Sequence, residues 1–265
     1  MSGLWRFFAT LCSPVSPTGS LLPKVMHMNL YDYKERLLII GDVHGCLSEL
    51  KRLLAKVEYS PETMTVIFVG DLVSKGPDSA KVVEFVRLNG FLSVRGNHED
   101  NILLGNYNKQ SKYANRVEQF SAKDLDFIRE LPLSITVPAL DLLVVHAGVN
   151  SHNRGCPVSA QSFNDLIRIR CVCANGTGTP SGPKDPTDKF WASIYTGPPF
   201  IVFGHDAKRR LQIHPWARGL DTGCVYGGSL SGLLIEDTRK QHDWMNHAEI
   251  ISVPAVKAYV LKDDD

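Results

Sequence analysis

Two side chains that can bind a metal ion stand two residues apart in the run Gly-Asp-Val-His-Gly at positions 41–45. Asp42 and His44 point to the same side of an extended chain, because side chains alternate along a strand. The flanking glycines allow the backbone to turn sharply and to approach a ligand closely. Since such tripeptides also arise by chance, the run predicts a metal site only if other segments supply further ligands.

Further metal-capable side chains stand where other apolar segments end. They are Asp71, the pair Asn97 and His98, His146 and His205, which follow the segments 65–69, 91–94, 141–145 and 200–203. Four of the nine histidines thus follow a buried strand and have a glycine within two residues. Ligands of open α/β sheets bind at the ends of strands. We therefore expect these side chains to meet in one metal site.

The chemistry of the candidate ligands indicates which metals would bind. Carboxylate, amide and imidazole groups without a thiolate suit divalent ions; we expect Mn²⁺, with Fe, Zn, Co or Mg as alternatives. There are more ligands than one ion needs, which indicates two ions. Two neighbouring ions are a common arrangement for displacement at phosphorus, where they lower the pKa of water and hold phosphoryl oxygens. Asp71 is the central candidate for a shared ligand.

The arrangement of apolar segments predicts an α/β core. Helical spacing follows two of the strands, at 50–57 and 79–86, and Ser121 is placed to cap a third helix that ends before Pro132. Repeated strand–loop–helix units of this kind are typical of α/β proteins. Strands are predicted at 37–40, 65–69, 91–94, 134–137, 141–145, 200–203, 219–225, 230–235 and 250–253.

Bulk composition excludes several classes of partner. The net charge of the 265-residue chain is +1, so there is no basic field that would favour DNA. No apolar run is long enough to span a membrane, and we expect no membrane partner. Six scattered cysteines without a framework spacing indicate reduced thiols in a reducing compartment. We therefore expect a cytoplasmic protein.

The N-terminal stretch leaves a second location open. Residues 1–31 contain no acidic residue and carry an early apolar cluster, as a mitochondrial targeting segment would. Only two basic residues and three prolines occur there, which favours a flexible tail. We therefore expect residues 1–34 to be a tail or targeting segment, and residues 35–262 to form a single catalytic domain.

Five motifs resemble, in the same order, those of the calcineurin-like metallophosphoesterases. They are Gly-Asp-Val-His-Gly at 41–45, Gly-Asp-Leu-Val at 70–73, Gly-Asn-His-Glu at 96–99, His-Ala-Gly at 146–148 and Gly-His at 204–205. The resemblance extends from residue 37 to about residue 235. It implies an α/β fold of the metallophosphoesterase type, a sandwich of two mixed β-sheets flanked by α-helices.

The resemblance also implies a role for each matching residue. One ion would be held by Asp42, His44 and Asp71, and the other by Asp71, Asn97, His146 and His205. His98 would be the general acid that protonates the leaving oxygen. Arg95 would bind a phosphate oxygen, and Asp71 would hold the two ions together.

Three longer segments narrow the resemblance. Residues 70–79, 204–207 and 219–228 resemble the symmetrical bis(5'-nucleosyl)-tetraphosphatases and, more closely, the eukaryotic ApaH-like phosphatases. The Ser/Thr protein phosphatases have Asp-Arg-Gly where this chain has Ser-Lys-Gly at 74–76. Ser74 therefore lacks the carboxylate that would orient His98, and Lys75 offers a point charge instead of a guanidinium fork.

Several basic residues could form a groove for a chain of phosphates. Arg168 and Arg170 would share one face of an extended segment, and Lys75 and Arg95 would complete the groove. Tyr226 is a further candidate for contact with the substrate. A second basic run, Lys-Arg-Arg at 208–210, follows His205 closely, although solvated surface charge is an equally simple interpretation.

The combined pattern predicts a metal-dependent phosphohydrolase that acts on phosphoanhydrides. The expected substrate is a small-molecule polyphosphate or nucleotide, such as diadenosine tetraphosphate, or a capped RNA end, or polyphosphate. The first alternative is a Ser/Thr phosphoprotein phosphatase, which the Ser-Lys pair at 74–75 disfavours. The second is a metal-binding protein that has lost catalysis, which the intact ligand set disfavours.

Overall fold

The strands that precede the predicted ligands belong to two β-sheets.

The computed structural model describes residues 15–108, 110, 112–152, 155–239 and 243–260. The strands are β1 (His27–Asn29), β2 (Arg36–Ile40), β3 (Met64–Phe68), β4 (Leu92–Ser93), β5 (Ser134–Val137), β6 (Leu142–Val145), β7 (Cys171–Val172), β8 (Gly178–Thr179), β9 (Lys189–Phe190), β10 (Phe200–Phe203), β11 (Gln212–His214), β12 (Ala217–Gly219), β13 (Ser229–Ile235) and β14 (Ala248–Pro254). The α-helices are α1 (Leu47–Lys56), α2 (Ser79–Leu88), α3 (Asn97–Tyr107), α4 (Ala122–Glu130), α5 (Phe163–Arg168) and α6 (Trp191–Ile194).

The apolar strand β2 is buried on both faces, which explains its unbroken run of leucine and isoleucine. Leu37 and Ile39 pack into the core between the two sheets. Leu38 and Ile40 face the opposite way, into the core beneath the helices. A strand covered on both faces needs apolar residues at every position. The pattern that predicted a buried strand therefore reflects its place at the centre of a layered structure.

The two larger sheets have the mixed topology that the resemblance implied. The five-stranded sheet has the order β14-β13-β2-β3-β4, and β2, β3 and β4 run parallel. The six-stranded sheet has the order β1-β5-β6-β10-β12-β11, and β6, β10 and β12 run parallel. The predicted sandwich of two mixed sheets with flanking helices is confirmed.

Helices cover the outer face of the five-stranded sheet. Apolar residues of α1 and α2, such as Leu50 and Val83, pack into one core with this sheet. The predicted cap of α4 is present: the Ser121 hydroxyl accepts the Asp124 N–H, and the Asp124 carboxylate accepts the Ser121 N–H. Reciprocal bonds of this kind satisfy backbone donors that a helix start would otherwise leave free.

A third layer covers the outer face of the six-stranded sheet. It contains α5, α6 and a small sheet of order β8-β7-β9. The buried Trp191 fills its core against Phe203 of β10. Sequence patterns did not predict α3, α5 or α6, because each is short or carries polar residues. The predicted strand at 219–225 is wrong: β12 ends at Gly219, and residues 220–228 form a loop.

The described part of the N-terminal stretch is folded, contrary to the expected tail at 1–34. Strand β1 pairs in parallel with β5, so the domain begins before residue 35. Residues Ser16 and Ser20 are buried against the domain. The first fourteen residues, which contain the apolar cluster, lie outside the described part of the chain.

Membrane insertion finds no support in the described helices, since none combines the length and apolar character needed to cross a bilayer. The five cysteines in the described ranges are free thiols. Cys12 lies outside those ranges.

Candidate metal centre and active site

The predicted ligands follow parallel strands in both sheets, and the ends of these strands meet. Asp42 and Asp71 follow β2 and β3, which pair with Ile40 beside Phe68. His146 and His205 follow β6 and β10, which pair with Val144 beside Val202. Parallel strands end at the same edge of a sheet, so each edge contributes several ligands. The sandwich brings the two edges together.

Asp71 lies at the centre of the cluster. Its Oδ2 is 3.6 Å from His44 Nε2, 3.4 Å from His146 Nε2 and 3.9 Å from His98 Nε2. Two overlapping groups of potential ligands share this carboxylate: His44 and His98 on one side, and His146 and His205 on the other. The geometry therefore places Asp71 where a ligand shared by two ions would stand.

Backbone carbonyls determine which nitrogen of each histidine faces the centre. Nδ1 of His44 lies 2.9 Å from the Val73 carbonyl, and Nδ1 of His146 lies 2.8 Å from the Val69 carbonyl. Because a carbonyl oxygen only accepts, Nδ1 must donate its proton in both rings. In the neutral ring Nε2 then carries the lone pair, which is the form that binds metal.

Three lone pairs converge around Asn97 on the other side of Asp71. Its Oδ1 lies 3.0 Å from His146 Nε2 and 2.9 Å from His205 Nδ1. The other nitrogen of His205, Nε2, lies 3.2 Å from the Arg168 carbonyl and donates to it, so Nδ1 has no proton. An oxygen and two unprotonated nitrogens grouped in this way present three lone pairs to a single cation. This donor set fits a divalent metal ion.

Asp42 stands next to the His205 backbone. Both of its oxygens lie 3.1 Å from the His205 N–H, which donates to them. A Cβ at Gly204 would collide with Oδ1 of Asp42, so only glycine permits this approach. Asp42 therefore links the two strand edges through the His205 backbone.

The electrostatics of the cluster also favour bound cations. Burial raises the pKa of Asp71 to about 7 and holds the pKa of Asp42 well above its usual range. Burial also lowers the pKa of His146 to about 4 and that of His205 well below its usual range. The imidazoles are therefore neutral at pH 7, and the buried carboxylates need positive charge nearby. Divalent ions bound here would supply that charge and polarise a phosphoryl oxygen.

Glu99 supports the cluster from behind, a role that sequence reasoning did not assign. Its fully buried carboxylate accepts N–H bonds from Asp71, Leu72 and Val73 and also one from Gly96. Burial, followed by the nearby Asp71 charge, raises the pKa of Glu99 to about 7. A sequence signal for this role is the position of Glu99. It is the third residue of α3, where an acidic side chain can accept hydrogen bonds from the backbone at the start of the helix.

His98 lies beside the cluster of candidate ligands, with its Nε2 3.9 Å from Oδ2 of Asp71. Its ring packs edge-on against His44, with 4.7 Å between the ring centroids. Its buried Nδ1 has no hydrogen-bond partner among the described residues, and neither has the Ser74 hydroxyl. Among the described residues, no other group accepts a hydrogen bond from His98 Nδ1 in place of the carboxylate that is missing at position 74. The His98 ring is oriented by packing.

A cavity of about 280 Å³ opens over the ligand cluster. Four of the five predicted substrate-binding residues line it: Lys75, Arg168, Arg170 and Tyr226. Arg168 ends α5, so it is helical and not extended as expected, yet both arginines reach the cavity. Asp221, which had no predicted role, also lines the cavity, and burial raises its pKa to about 6.

Lys75 and Tyr226 form one unit on the cavity wall. The Lys75 ammonium donates to the Tyr226 hydroxyl at 2.6 Å and lies 5.0 Å from the centre of its ring. Ser74 and Lys75 both have left-handed backbone conformations, with φ of 71° and 67°. Such conformations are unfavourable for residues other than glycine. With this backbone conformation, the Lys75 ammonium group lies on the wall of the cavity over the candidate ligands.

Arg95 is not in the cavity, and its expected contact with phosphate is wrong. The side chain is fully buried, and its guanidinium group donates to the Leu21 and Arg129 carbonyls. Asp100 lies 3.9 Å away as its counter-charge. A guanidinium group enclosed in this way is not available to substrate. The motif places Arg95 at the end of a strand as expected, but the direction of its side chain depends on the packing of distant segments.

The basic run at 208–210 divides between two roles. Lys208 lines the cavity. Arg209 stacks on Phe190 at 3.7 Å and pairs with Asp206 at 2.8 Å, while Arg210 donates to backbone carbonyls of the 222–223 loop. One of the three residues therefore adds to the charge of the cavity, and the other two hold neighbouring segments in place.

Comparison with known proteins identifies the family. Residues 35–227 match the family described as calcineurin-like phosphoesterase. A bis(5'-nucleosyl)-tetraphosphatase named as symmetrical, from Photorhabdus laumondii subsp. laumondii, is 32% identical over 279 residues, covering 83% of this chain and 98% of that protein. The bis(5'-nucleosyl)-tetraphosphatase PrpE of Halalkalibacterium halodurans, named as asymmetrical, is 28% identical over 222 residues, covering 74% of this chain and 88% of that protein.

A solved structure agrees with these relatives. A crystal structure of a protein provisionally described as a diadenosine tetraphosphatase superposes with a TM-score of 0.75 and 34% sequence identity, covering 87% of this chain and 98% of the other. The family uses divalent metals, and the lone pairs around Asp71 and Asn97 suit them. The resemblance read from the five motifs is confirmed: this chain is a phosphohydrolase of the calcineurin-like phosphoesterase family.

Proposed function

We propose that this chain hydrolyses a phosphoanhydride bond of a dinucleoside polyphosphate, with diadenosine tetraphosphate as the representative substrate. Two divalent ions, with Mn²⁺ preferred, would be held by Asp42, His44 and Asp71 and by Asp71, Asn97, His146 and His205. The observation that carries the proposal is the cavity over this cluster, where four cationic side chains line one small space. They are Lys75, Arg168, Arg170 and Lys208.

The charge and size of the cavity favour a chain of phosphates over a single one. A lone phosphate monoester needs one or two cations beside the metal centre, whereas a tetraphosphate carries charge along its length. Arg168 and Arg170 offer planar guanidinium groups, which suit phosphate oxygens. The relatives named as tetraphosphatases act on substrates of this type.

The cavity wall disfavours a phosphoprotein substrate. Arg170 donates to the Pro180 carbonyl at 2.8 Å, and Pro180 lines the cavity. The loop after β8 therefore closes one side of the site and is fixed there by a charged hydrogen bond. A small anionic molecule enters such a space more readily than the surface of a folded protein. This is the physical reason to prefer the nucleotide over the Ser/Thr phosphoprotein alternative.

His98 would transfer the proton to the leaving phosphate oxygen. Burial, and then the charges of neighbouring groups led by His44, lower the pKa of His98 well below its usual range. An anionic phosphate chain placed beside the ring would raise that pKa again, since a nearby opposite charge favours the protonated form.

The bond that is cut distinguishes two forms of the reaction. A symmetrical cleavage of diadenosine tetraphosphate yields two molecules of ADP, and an asymmetrical cleavage yields ATP and AMP. The sequence resemblance at 70–79, 204–207 and 219–228 favours the symmetrical products. Chromatography of the nucleotides would separate the two outcomes in a single assay.

A substrate panel tests the proposal. Purified protein with Mn²⁺ would be assayed on diadenosine tetraphosphate, a cap dinucleotide, inorganic polyphosphate and a phosphopeptide, with Asp71→Asn as the inactive control. We expect the dinucleotide to be hydrolysed with the highest kcat/KM. A preference for the phosphopeptide would overturn the proposal. Bound metal without hydrolysis of any of the four would instead support a metal-binding protein without catalysis.

We also propose a cytoplasmic location. Its support is the set of free cysteines in the described ranges, since free thiols persist in reducing compartments. Fluorescence imaging of the full chain with a C-terminal tag would test it, and import into mitochondria would contradict it.

A further inference from the structure

Asp100 connects the substrate cavity to the N-terminal segment. It lies in the first turn of α3, three residues after Asn97, and its side chain is fully buried. Its Oδ2 is 3.5 Å from Nη2 of Arg168, one of the arginines of the cavity. Its Oδ1 is 3.9 Å from Nη1 of the buried Arg95. The Asp100 carboxylate thus lies between two guanidinium groups: that of Arg95, which is buried in the fold, and that of Arg168, which lines the cavity.

Two hydroxyl groups of the N-terminal segment hold this carboxylate. Thr18 Oγ1 donates to Oδ2 of Asp100 at 2.7 Å, and Ser20 Oγ donates to Oδ1. Each oxygen therefore receives one hydroxyl proton and faces one guanidinium group. Hydrogen bonds to an ionised group are stronger than neutral ones and restrict its orientation.

The segment that carries these hydroxyls is itself folded into a tight turn. The Ser16 hydroxyl lies 2.7 Å from Thr18 Oγ1 and 2.9 Å from Ser20 Oγ, and the Ser16 N–H donates to the Ser20 carbonyl. The Leu21 carbonyl accepts from Arg95 at 2.8 Å. Residues 16–21, here called the N-terminal turn, therefore cover the buried pair of Arg95 and Asp100.

A held guanidinium group binds an anion better than a free one. An exposed arginine has several rotamers and loses that freedom when it binds, which weakens binding. Arg168 is 28% exposed, so Asp100 reaches it from the buried side while its other face remains open to the cavity. The backbone carbonyl of Arg168 also accepts from His205. The position of Arg168 is thus linked to the metal centre as well.

We infer that Asp100, fixed by Thr18 and Ser20, is a positioning residue that presents Arg168 to the phosphate chain of the substrate. The N-terminal turn is then part of the substrate-binding apparatus, although it lies about eighty residues away from Asp100 in sequence. The inference rests on the proposed function, because it assigns an anionic chain to the cavity. It goes beyond that function by naming which distant residues control affinity.

The first test removes the two hydroxyls and leaves all charges in place. The double variant Thr18→Ala/Ser20→Ala is compared with Ser193→Ala, which removes an exposed hydroxyl that bonds to the Phe190 carbonyl. We expect KM for diadenosine tetraphosphate to rise about 3- to 10-fold in the double variant. This is less than the roughly 10- to 100-fold effect of losing a hydrogen bond to a charged group directly, because the hydroxyls act on Arg168 only through Asp100. The kcat and the bound metal should stay within about twofold of the wild-type values. An unchanged KM would overturn the inference.

A double-mutant cycle asks whether the effect passes through Arg168. If Asp100 acts on substrate by holding Arg168, the Thr18→Ala/Ser20→Ala pair should not raise KM further in an Arg168→Ala background. An equal rise in both backgrounds would show that the turn supports only the fold. Asp100→Asn should behave like the double variant; since it leaves Arg95 without a counter-charge, the hydroxyl variants decide the question if it fails to fold.

A binding measurement separates this inference from the proposed function. Calorimetric titration of Mn²⁺-loaded protein with methylenediphosphonate, whose P–C–P bridge is not hydrolysed, reports affinity for an anionic chain without any turnover. The inference would be supported if Thr18→Ala/Ser20→Ala weakened binding of the anion in the wild-type background but not in the Arg168→Ala background. This result would count even if diadenosine tetraphosphate were not hydrolysed. If the double variant bound methylenediphosphonate as tightly as the wild type while the enzyme hydrolysed the dinucleotide, the inference alone would be overturned.

Discussion

The Asp71 carboxylate lies 3.4 Å from Nε2 of His146, although the two residues belong to different sheets. Asp71 follows β3 of the five-stranded sheet, and His146 follows β6 of the six-stranded sheet. Gly70 permits this approach: it has a φ of 91°, and a Cβ there would lie 3.0 Å from Nδ1 of His146. The candidate metal centre therefore lies where the two sheets meet, and its geometry depends on how they pack.

Replacing Asp71 by Asn should abolish activity and weaken binding at both metal sites. The amide cannot supply the negative charge that two ions would share. Metal content of the purified variant, measured by mass spectrometry after dialysis, checks this expectation. Asp78→Asn is the control, since Asp78 pairs with the exposed Lys81 of α2. Two ions still tightly bound in Asp71→Asn would refute its shared role.

His98→Ala should keep its metal and lose turnover. The ring lies beside Asp71, but it contributes a proton to the leaving oxygen in our proposal and is not among the proposed ligands. We expect kcat to fall roughly 10²- to 10⁴-fold, as is usual for a positioned acid. A substrate with a good leaving group, such as p-nitrophenyl phosphate, should be affected less. His247→Ala is a control outside the site, and an equal loss on both substrates would contradict the role of acid.

Lys75→Met should weaken substrate binding more than Tyr226→Phe. The methionine removes the cation from the cavity wall, whereas the phenylalanine removes only the hydroxyl that Lys75 contacts at 2.6 Å. We expect KM to rise about 10- to 100-fold for Lys75→Met, the effect of losing a hydrogen bond to a charged group. Lys81→Met, at an exposed lysine of α2, is the matched control. Steady-state kinetics would give KM for each variant. Equal increases of KM in Lys75→Met and Tyr226→Phe would contradict the proposed role of the Lys75 charge.

Metal-free protein should lose stability as the pH rises from about 6.5 to 7.5. Burial raises the pKa values of Asp71 and Glu99 to about 7, so the folded protein binds more protons there than the unfolded chain. Histidines with lowered pKa values oppose this effect in part, because unfolded histidines with a pKa near 6.5 still lose protons across this window. Asp42, whose pKa burial also holds well above its usual range, adds to the fall. We expect the Tm to fall about 1 to 3 °C across this window.

Excess Mn²⁺ should remove most of that fall, because bound ions replace the protons on the carboxylates. Calorimetric scans of chelator-treated and Mn²⁺-loaded samples at the two pH values check the expectation. A Tm that rises with pH in the metal-free protein would contradict the assigned direction of the pKa shifts.

Arg95→Met should destabilise the fold. The change leaves Asp100 buried without its nearest enclosed counter-charge, and breaking a buried pair in this way costs about 3 to 5 kcal/mol. Urea unfolding measures the loss of unfolding free energy. Arg87→Met is the control: its partly exposed pair with Asp124 should contribute about 1 kcal/mol or less. A raised KM with unchanged stability would restore Arg95 as a phosphate ligand.

The amino-acid sequence was sufficient to predict the buried strands and the chemistry at their ends. The run at 37–40 is apolar at every position, and this pattern reports burial on both faces wherever the strand is placed. The polar residues after β2, β3, β4, β6 and β10 share one edge of each sheet because the strands are parallel. The pattern of strands and polar ends is therefore enough to group Asp42, His44, Asp71, Asn97, His146 and His205.

The tertiary structure alone decided which way each of these side chains is turned and what lies behind it. The nitrogen that His205 offers depends on the Arg168 carbonyl, and the burial of Arg95 depends on Leu21. The place of the N-terminal turn depends on Asp100, about eighty residues further along the chain. Periodicity is a local property of the chain and reports only whether a residue is buried. Partners that are distant in sequence meet only when the whole core has packed, and that packing determines the site.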